Sequence, residues 1–265
     1  MTNALPVPVI KVLPLSDLLF HEEVDGVRSR ELAEKIKAEG VLRDPIIVTR
    51  LGGGYLVLDG AHRCSALRAL GCRYVVAQLV DYDDPRVKVL TWSHVFLGEV
   101  EELKRRIEGV EPLPPSGGGG DSAPWVAVLT FEGGGGVVLR VSGGLRERAL
   151  ALNRFVGSYL DLSYYRASEE TICLLKCLGE VKALVRFSRF EKSEITALAL
   201  KGLRLPAGVT RHIVPGRVLG LKVDISLLED GEPEEREVAL RREVRERFRR
   251  GSLRIYLEPV ISFDN

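Results

Sequence analysis

An apolar run that meets Asp59-Gly60 and passes straight into a helical pattern restricts the possible folds of this chain more than any other stretch. Residues 55–58 are apolar and partly β-branched, as in a strand; Ala66, Leu67, Ala69 and Leu70 then recur at helical spacing until Gly71 stops the helix. Such a junction can hold an anion. Gly60 lets the backbone approach a ligand closely, and the unpaired amides of Ala61, His62 and Arg63 converge where the helix dipole favours negative charge. The His62 and Arg63 side chains add donors. The same residues also suit an ordinary strand-to-helix turn, with Arg63 solvated and Asp59 as N-cap, and a motif this short does not choose between the two.

The residues upstream supply context. Residues 32–40 read as a helix ended by Gly40, Pro45 closes a loop, 46–49 read as a strand, and Gly52-Gly53-Gly54 turns the chain into the next strand. This order, followed by Asp59-Gly60-Ala61-His62-Arg63 and a short helix, resembles the ParB and sulfiredoxin superfamily over roughly residues 8–82. The resemblance implies a nucleotide-binding domain whose helix start holds phosphates. The DNA-partitioning branch carries a Gly-Glu-Arg-Arg type box that is not found here, and sulfiredoxin has a reactive cysteine where Ala61 stands. Reductase chemistry needs a nucleophilic thiolate, so Ala61 argues against it; Cys64 lies one position beyond Arg63.

Composition narrows the class. A chain of 265 residues with 45% apolar residues can bury one large or two modest cores. The 38 basic and 37 acidic residues leave a net charge of +1, which offers no footprint for nucleic-acid phosphates. Gln78 is the sole glutamine and asparagine occurs only at 3, 153 and 265, a scarcity of thermolabile amides expected of a hot-environment protein. No apolar stretch approaches the ~20 residues that span a bilayer, so a cytoplasmic protein with no membrane or nucleic-acid partner is expected. Cys64, Cys72, Cys173 and Cys177 lack C-x-x-C spacing and read as buried free thiols; the last two could share a helix face.

The chain divides into a nucleotide-binding domain over 1–110, a Pro/Gly-rich linker over 111–121, and a second α/β domain over 122–265 that includes Thr210-Arg211-His212. The fold class is mixed α/β (α+β). Residues 74–80 read as a strand, 99–108 as a charged helix, 125–131 and 137–141 as a hairpin, and 144–152 and 168–178 as helices. In the tail, residues 233–250 alternate Glu and Arg around Val238, Leu240, Val244 and Phe248, a solvated helix packed on its own domain, followed by a strand over 253–260.

Three further blocks complete the pattern: Phe20-His21-Glu22-Glu23 before the first helix, Thr91-Trp92-Ser93-His94 after the nucleotide segment, and Thr210-Arg211-His212 late in the chain. With Asp59-Gly60-Ala61-His62-Arg63 they resemble, in order and spacing, the archaeal free L-serine kinase family. That resemblance implies phosphorylation of L-serine to O-phospho-L-serine for cysteine biosynthesis, with ADP or ATP as donor and Mg²⁺ as cofactor. It implies Glu22 as the catalytic carboxylate, and a nucleotide site of Asp59, Gly60, Ala61, His62, Arg63 and Thr210. Trp92, Arg211 and His212 would bind serine, and Asp59 would help position Mg²⁺ through the phosphates. Ala61 departs from the family's Asp-Gly-His-His-Arg box, which removes an imidazole and keeps a backbone amide.

The residue types suit that chemistry. A serine hydroxyl is a poor nucleophile near neutrality, and a carboxylate within hydrogen-bond reach can take its proton. Glu23 competes with Glu22 for this role. Arg211 could clamp a carboxylate or phosphate through its planar fork, Thr210 could donate a hydroxyl, and His212 could bridge to either ligand. Each has a structural alternative: Trp92 in a core, Arg211 in a surface ion pair, His212, His21 and His94 as satisfied buried histidines. The remaining functional readings are a ParB-like nucleotide-dependent DNA-binding protein and a sulfiredoxin-like reductase.

Overall fold

The computed structural model describes residues 8–98, 100–110, 125–252 and 254–256. The linker expected over 111–121 and most of the strand expected over 253–260 lie outside them; residues 254–256 are not in a strand.

The first sheet has the order β1 (Val9–Pro14), β6 (Tyr74–Leu79), β4 (Ile46–Leu51), β5 (Gly54–Asp59), β2 (Leu18–Phe20). Neighbours run antiparallel except β4 with β6 and β2 with β5. On β4 and β5 successive residues serve opposite cores: Ile47, Leu56 and Leu58 enter one cluster, and Ile46, Val48 and Val57 the other. Both faces are covered, so these strands read as near-continuous apolar runs. One face carries α1 (Gly26–Glu39) and α2 (Ala61–Ala69), which bring Ala33, Ile36, Cys64 and Leu67 into the core. Asp25 caps α1 by accepting from the amides of Val27 and Arg28, and Gly40, left-handed at φ 68°, ends it as its sequence predicts.

The other face packs toward a second, antiparallel sheet ordered β10 (Gly136–Arg140), β9 (Trp125–Phe131), β12 (Ala183–Phe187), β8 (Ser93–Phe96), β11 (Tyr165–Ala167). Leu129, Val185 and Phe187 from this sheet share one cluster with Ile47, Leu56 and Leu58. Helices α3 (Val100–Arg106), α4 (Leu145–Gly157), α5 (Glu169–Cys177) and α6 (Lys192–Leu200) accompany it. Two short ribbons complete the fold: β7 (Lys88–Thr91) pairs with β13 (Thr210–Ile213), and β3 (Val41–Leu42) pairs with β14 (Val223–Asp224), whose Leu42 and Val223 join the cluster under α1 and α2. The chain crosses between the sheets repeatedly. β8 precedes residue 111 yet sits inside the second sheet, whereas α7 (Pro233–Arg249) returns to the first, burying Leu240 in its cluster and pairing Glu237 with Lys11 at 3.1 Å.

The tail helix therefore packs on the N-terminal sheet rather than on its own half of the sequence. Its expected stripe is also incomplete, since Val238 is 67% exposed while Leu240 is 1% exposed. Among the cysteines, Cys64 and Cys72 are buried as expected; Cys173 and Cys177 lie exposed on α5, where the helix turns them away from the core.

Candidate active site

β5 ends at Asp59, Gly60 takes φ 104°, and α2 begins at Ala61, so the strand–glycine–helix junction read from the sequence is present. A Cβ on Gly60 would stand 2.5 Å from Ile46 Cγ2, which makes glycine obligatory on two grounds, conformation and space. The first amides of α2 have no partner within the helix. Asp59 does not cap them; its Oδ2 accepts from Arg63 at 3.1 Å and Arg217 at 2.5 Å. Burial would push the Asp59 carboxyl up, and the Arg63 and Arg217 guanidiniums outweigh it and hold the group below its ordinary value. Arg63 also donates to the carbonyls of Asp44 and Pro45, at 3.0 and 2.7 Å, so it fastens the Pro45 loop to α2.

This junction forms one wall of a cavity of about 470 Å³, within the range of ~300–1,000 Å³ usual for small-molecule sites. The cavity gathers Glu22, Asp59, Gly60, Ala61, His62, Trp92, Thr210, Arg211 and His212 from four separate segments. Arg63 is not among its lining residues, because its fork is spent on Asp59 and the loop. Glu23 turns outward to Arg204 at 3.4 Å.

Glu22 is held on three sides. Its Oε1 accepts from the Thr210 amide and from Thr210 Oγ1, both at 2.6 Å, and its Oε2 accepts from the Gly208 amide at 3.0 Å. A parallel bridge to Leu205 fixes the backbone beneath it. Because the Thr210 hydroxyl spends its one proton on Glu22, it must accept from His21 Nε2, 2.9 Å away. That assigns the proton of His21 to Nε2 and leaves Nδ1 as a buried lone pair without a partner. On the other side, His94 Nε2 lies 3.3 Å from the Gly208 carbonyl and His94 Nδ1 3.0 Å from the Tyr159 hydroxyl, which steadies the peptide that binds Glu22. His21 and His94 thus support the carboxylate from behind.

The chain's four histidines all titrate below their ordinary value of 6.5, with burial the largest cause at each: His62 at about 4, His94 and His212 at about 3, and His21 lowered in the same direction. The unfolded chain binds these protons more readily, so the stability present above about pH 6.5 is lost as pH falls through the folded values. Melting temperature is expected to decline from about pH 6.5 downward, before the carboxylates begin to titrate near pH 4. A constant melting temperature from about pH 6.5 to about pH 5 would show that the buried imidazoles accept protons without penalty.

At the cavity mouth Arg211 stacks over Trp92, its guanidinium carbon 4.6 Å from the ring centroid, and reaches Glu170 at 3.6 Å. His212 pairs Nε2 with the Tyr82 hydroxyl at 2.9 Å. Two charged lining residues escape the sequence reading, Arg166 on β11 and Arg217 beyond β13, as does Gly208, whose amide holds Glu22. Gln78, the sole glutamine, accounts for the position of Arg217, since it donates to the Gly216 carbonyl at 3.0 Å and accepts from the Val218 amide at 2.9 Å. The reductase reading fails on Cys64: the thiol is fully buried and burial pushes it up to about 12, so no thiolate is available.

Residues 11–91 match the ParB N-terminal domain. Over 225 residues the chain is 31% identical to an ATP-dependent L-serine kinase of Staphylothermus marinus, an alignment covering 79% of this chain and 88% of that relative. This chain belongs to the L-serine kinase family. Within the family it is 28% identical over 254 residues to the ATP-dependent L-serine kinase SbnI of Staphylococcus aureus, covering 95% of each chain. It is 25% identical over 211 residues to the ADP-dependent L-serine kinase SerK of Thermococcus kodakarensis, covering 77% of this chain and 86% of that one. The solved structure of SbnI with a C-terminal truncation from Staphylococcus aureus has the same fold, with a TM-score of 0.69 and 24% identity over 90% of this chain and 97% of that one. No helix among the described residues is long and apolar enough to cross a membrane.

Proposed function

We propose that this L-serine kinase family member transfers the terminal phosphoryl group of ATP or ADP to the hydroxyl of free L-serine, yielding O-phospho-L-serine, a product suited to cysteine biosynthesis. The observation that carries the reading is the triple-anchored Glu22 carboxylate, which faces the same cavity as the Gly60 helix start. Phosphates bind at the amides of Ala61 and His62, where the α2 dipole offsets their charge. Glu22 is the base. Oε1 already accepts two hydrogen bonds and Oε2 one, so Oε2 has the acceptor capacity for the serine proton. As that proton moves to Oε2, the bond from serine Oγ to phosphorus forms, the bond from phosphorus to the nucleotide oxygen breaks, and the shortened nucleotide departs. Trp92 and Arg211 wall the serine side, with the Arg211 fork suited to the serine carboxylate.

Among the described residues no group of three or more His, Cys, Asp or Glu could hold a metal alone. Magnesium does not require one, since it is commonly bound by one or two carboxylates together with substrate phosphates. Asp59 fits that role: both of its hydrogen bonds fall on Oδ2. Bound there, Mg²⁺ would neutralise phosphate charge.

Phosphorus NMR of the protein with Mg²⁺, L-serine and either ATP or ADP tests the reading. Phosphoserine is expected with at least one donor, and the relative rates identify the preferred one. The absence of phosphoserine with both would overturn it.

A further inference from the structure

Arg166 is the one charged lining residue of the cavity, among the described residues, that has neither an ion pair nor a hydrogen bond to a protein group. Asp59 is bound by Arg63 and Arg217, Arg211 by Glu170, and Glu22 by Gly208 and Thr210. Arg166 Nε is buried without a partner. An unsatisfied buried donor on a charged group is costly, and an incoming anion removes that cost.

The surroundings are built around this guanidinium. A Cβ at Gly208 would stand 2.1 Å from Arg166 Nε and 2.3 Å from its Cζ, so the glycine, at φ 78°, opens the space the side chain occupies. The amide of that same Gly208 holds Glu22 Oε2. The Arg166 charge also acts on Arg28, His62 and His94, opposing protonation at each, and so concentrates positive potential on this side of the cavity. One peptide therefore joins the anchored carboxylate to an uncompensated cation.

We propose that Arg166 binds the terminal phosphate of the nucleotide through its guanidinium and makes the site select nucleoside polyphosphates over the monophosphate. The proposal rests on the phosphotransfer reading for its consequence in catalysis. Charge in phosphoryl transfer spreads over the three peripheral oxygens, and the planar fork of Arg166 contacts these oxygens while Glu22 takes the proton; Arg166 neither gains nor loses one.

Titration calorimetry with Mg²⁺ and ATP, ADP or AMP, without serine, tests it on the wild type, Arg166→Gln and Arg166→Lys. Arg166→Gln keeps most of the side-chain volume, and a melting curve confirms that each variant folds. Loss of this contact is expected to weaken ATP and ADP by about tenfold or more and to leave AMP nearly unchanged, with Arg166→Lys recovering only part because a point charge lacks the fork. Equal weakening of AMP and ATP, or unchanged ATP binding, overturns the proposal. No serine is present, so a protein that binds polyphosphates through Arg166 yet makes no phosphoserine refutes the kinase reading and leaves this one standing.

Discussion

Glu22→Gln is expected to lower the rate of phosphoserine formation by a factor on the order of 10² to 10⁴ and to leave nucleotide affinity close to that of the wild type. The amide keeps the carboxylate's shape and loses its capacity to accept a proton. Its oxygen can still accept from Thr210, but its NH₂ group then confronts the Gly208 amide, two donors facing one another. That mismatch costs about 1–3 kcal/mol, which at about 2–4 °C per kcal/mol is a modest fall in melting temperature. Most of the protein therefore stays folded at assay temperature, and the loss of turnover belongs to chemistry. Glu22→Asp separates base strength from position: it retains a carboxylate one methylene short, and a displacement of about 1 Å can itself cost about 10² in rate. Turnover in Glu22→Gln within about threefold of wild type, against the factor expected of a general base, would remove Glu22 from that role.

The local signals in the chain were legible and the distant pairings were not. Gly60, Gly40 and the Gly-rich turn between β9 and β10 each act on neighbouring residues, so their effect can be read in sequence order. Arg166 sits on a three-residue edge strand with no periodicity to announce it, and its meaning depends on Gly208, far along the chain. The same holds for β12, which enters between β8 and β9 through pairings such as Ala183 with Phe96. A 3.6-residue pattern identified α7 but could not say which surface it would cover, and the contact with β1 decides which apolar residues are buried.

The site divides along the same line. Glu22, Thr210 and the helix start are recognisable as short blocks whose order resembles a known family, whereas their mutual geometry comes from the β7–β13 ribbon and the Glu22–Leu205 bridge. His21 and His94 appeared as two isolated histidines of ambiguous purpose. In three dimensions each holds one side of the same carboxylate, His21 through the Thr210 hydroxyl and His94 through the Gly208 peptide. Arg63 illustrates the opposite outcome: a donor placed beside a phosphate site by sequence, yet consumed by Asp59 and two loop carbonyls.

Gly60→Ala is expected to damage stability and nucleotide binding together. Its backbone stands at φ 104°, a conformation that L residues rarely adopt, and the new methyl would meet Ile46 Cγ2 at 2.5 Å and Ile46 Cβ at 2.9 Å. Ile46 is fully buried and cannot swing aside without disturbing Val48, Cys64 and Leu67 in the same core. Overpacking of this kind costs about 1–3 kcal/mol, and strain at a left-handed position adds about 1–3 kcal/mol, a fall in melting temperature of roughly 4–24 °C at 2–4 °C per kcal/mol. Relief comes by moving the Gly60 peptide, which shifts the amides of Ala61 and His62 away from the phosphates they would hold. Calorimetry should then show nucleotide affinity reduced even at temperatures where the variant is fully folded. Gly53→Ala is the control: space for a methyl is open there and the position lies outside the cavity, so it should leave nucleotide affinity unchanged. If Gly60→Ala bound ATP like the wild type while remaining folded, the α2 start would be a turn in the fold and the phosphates would have to be held elsewhere in the cavity.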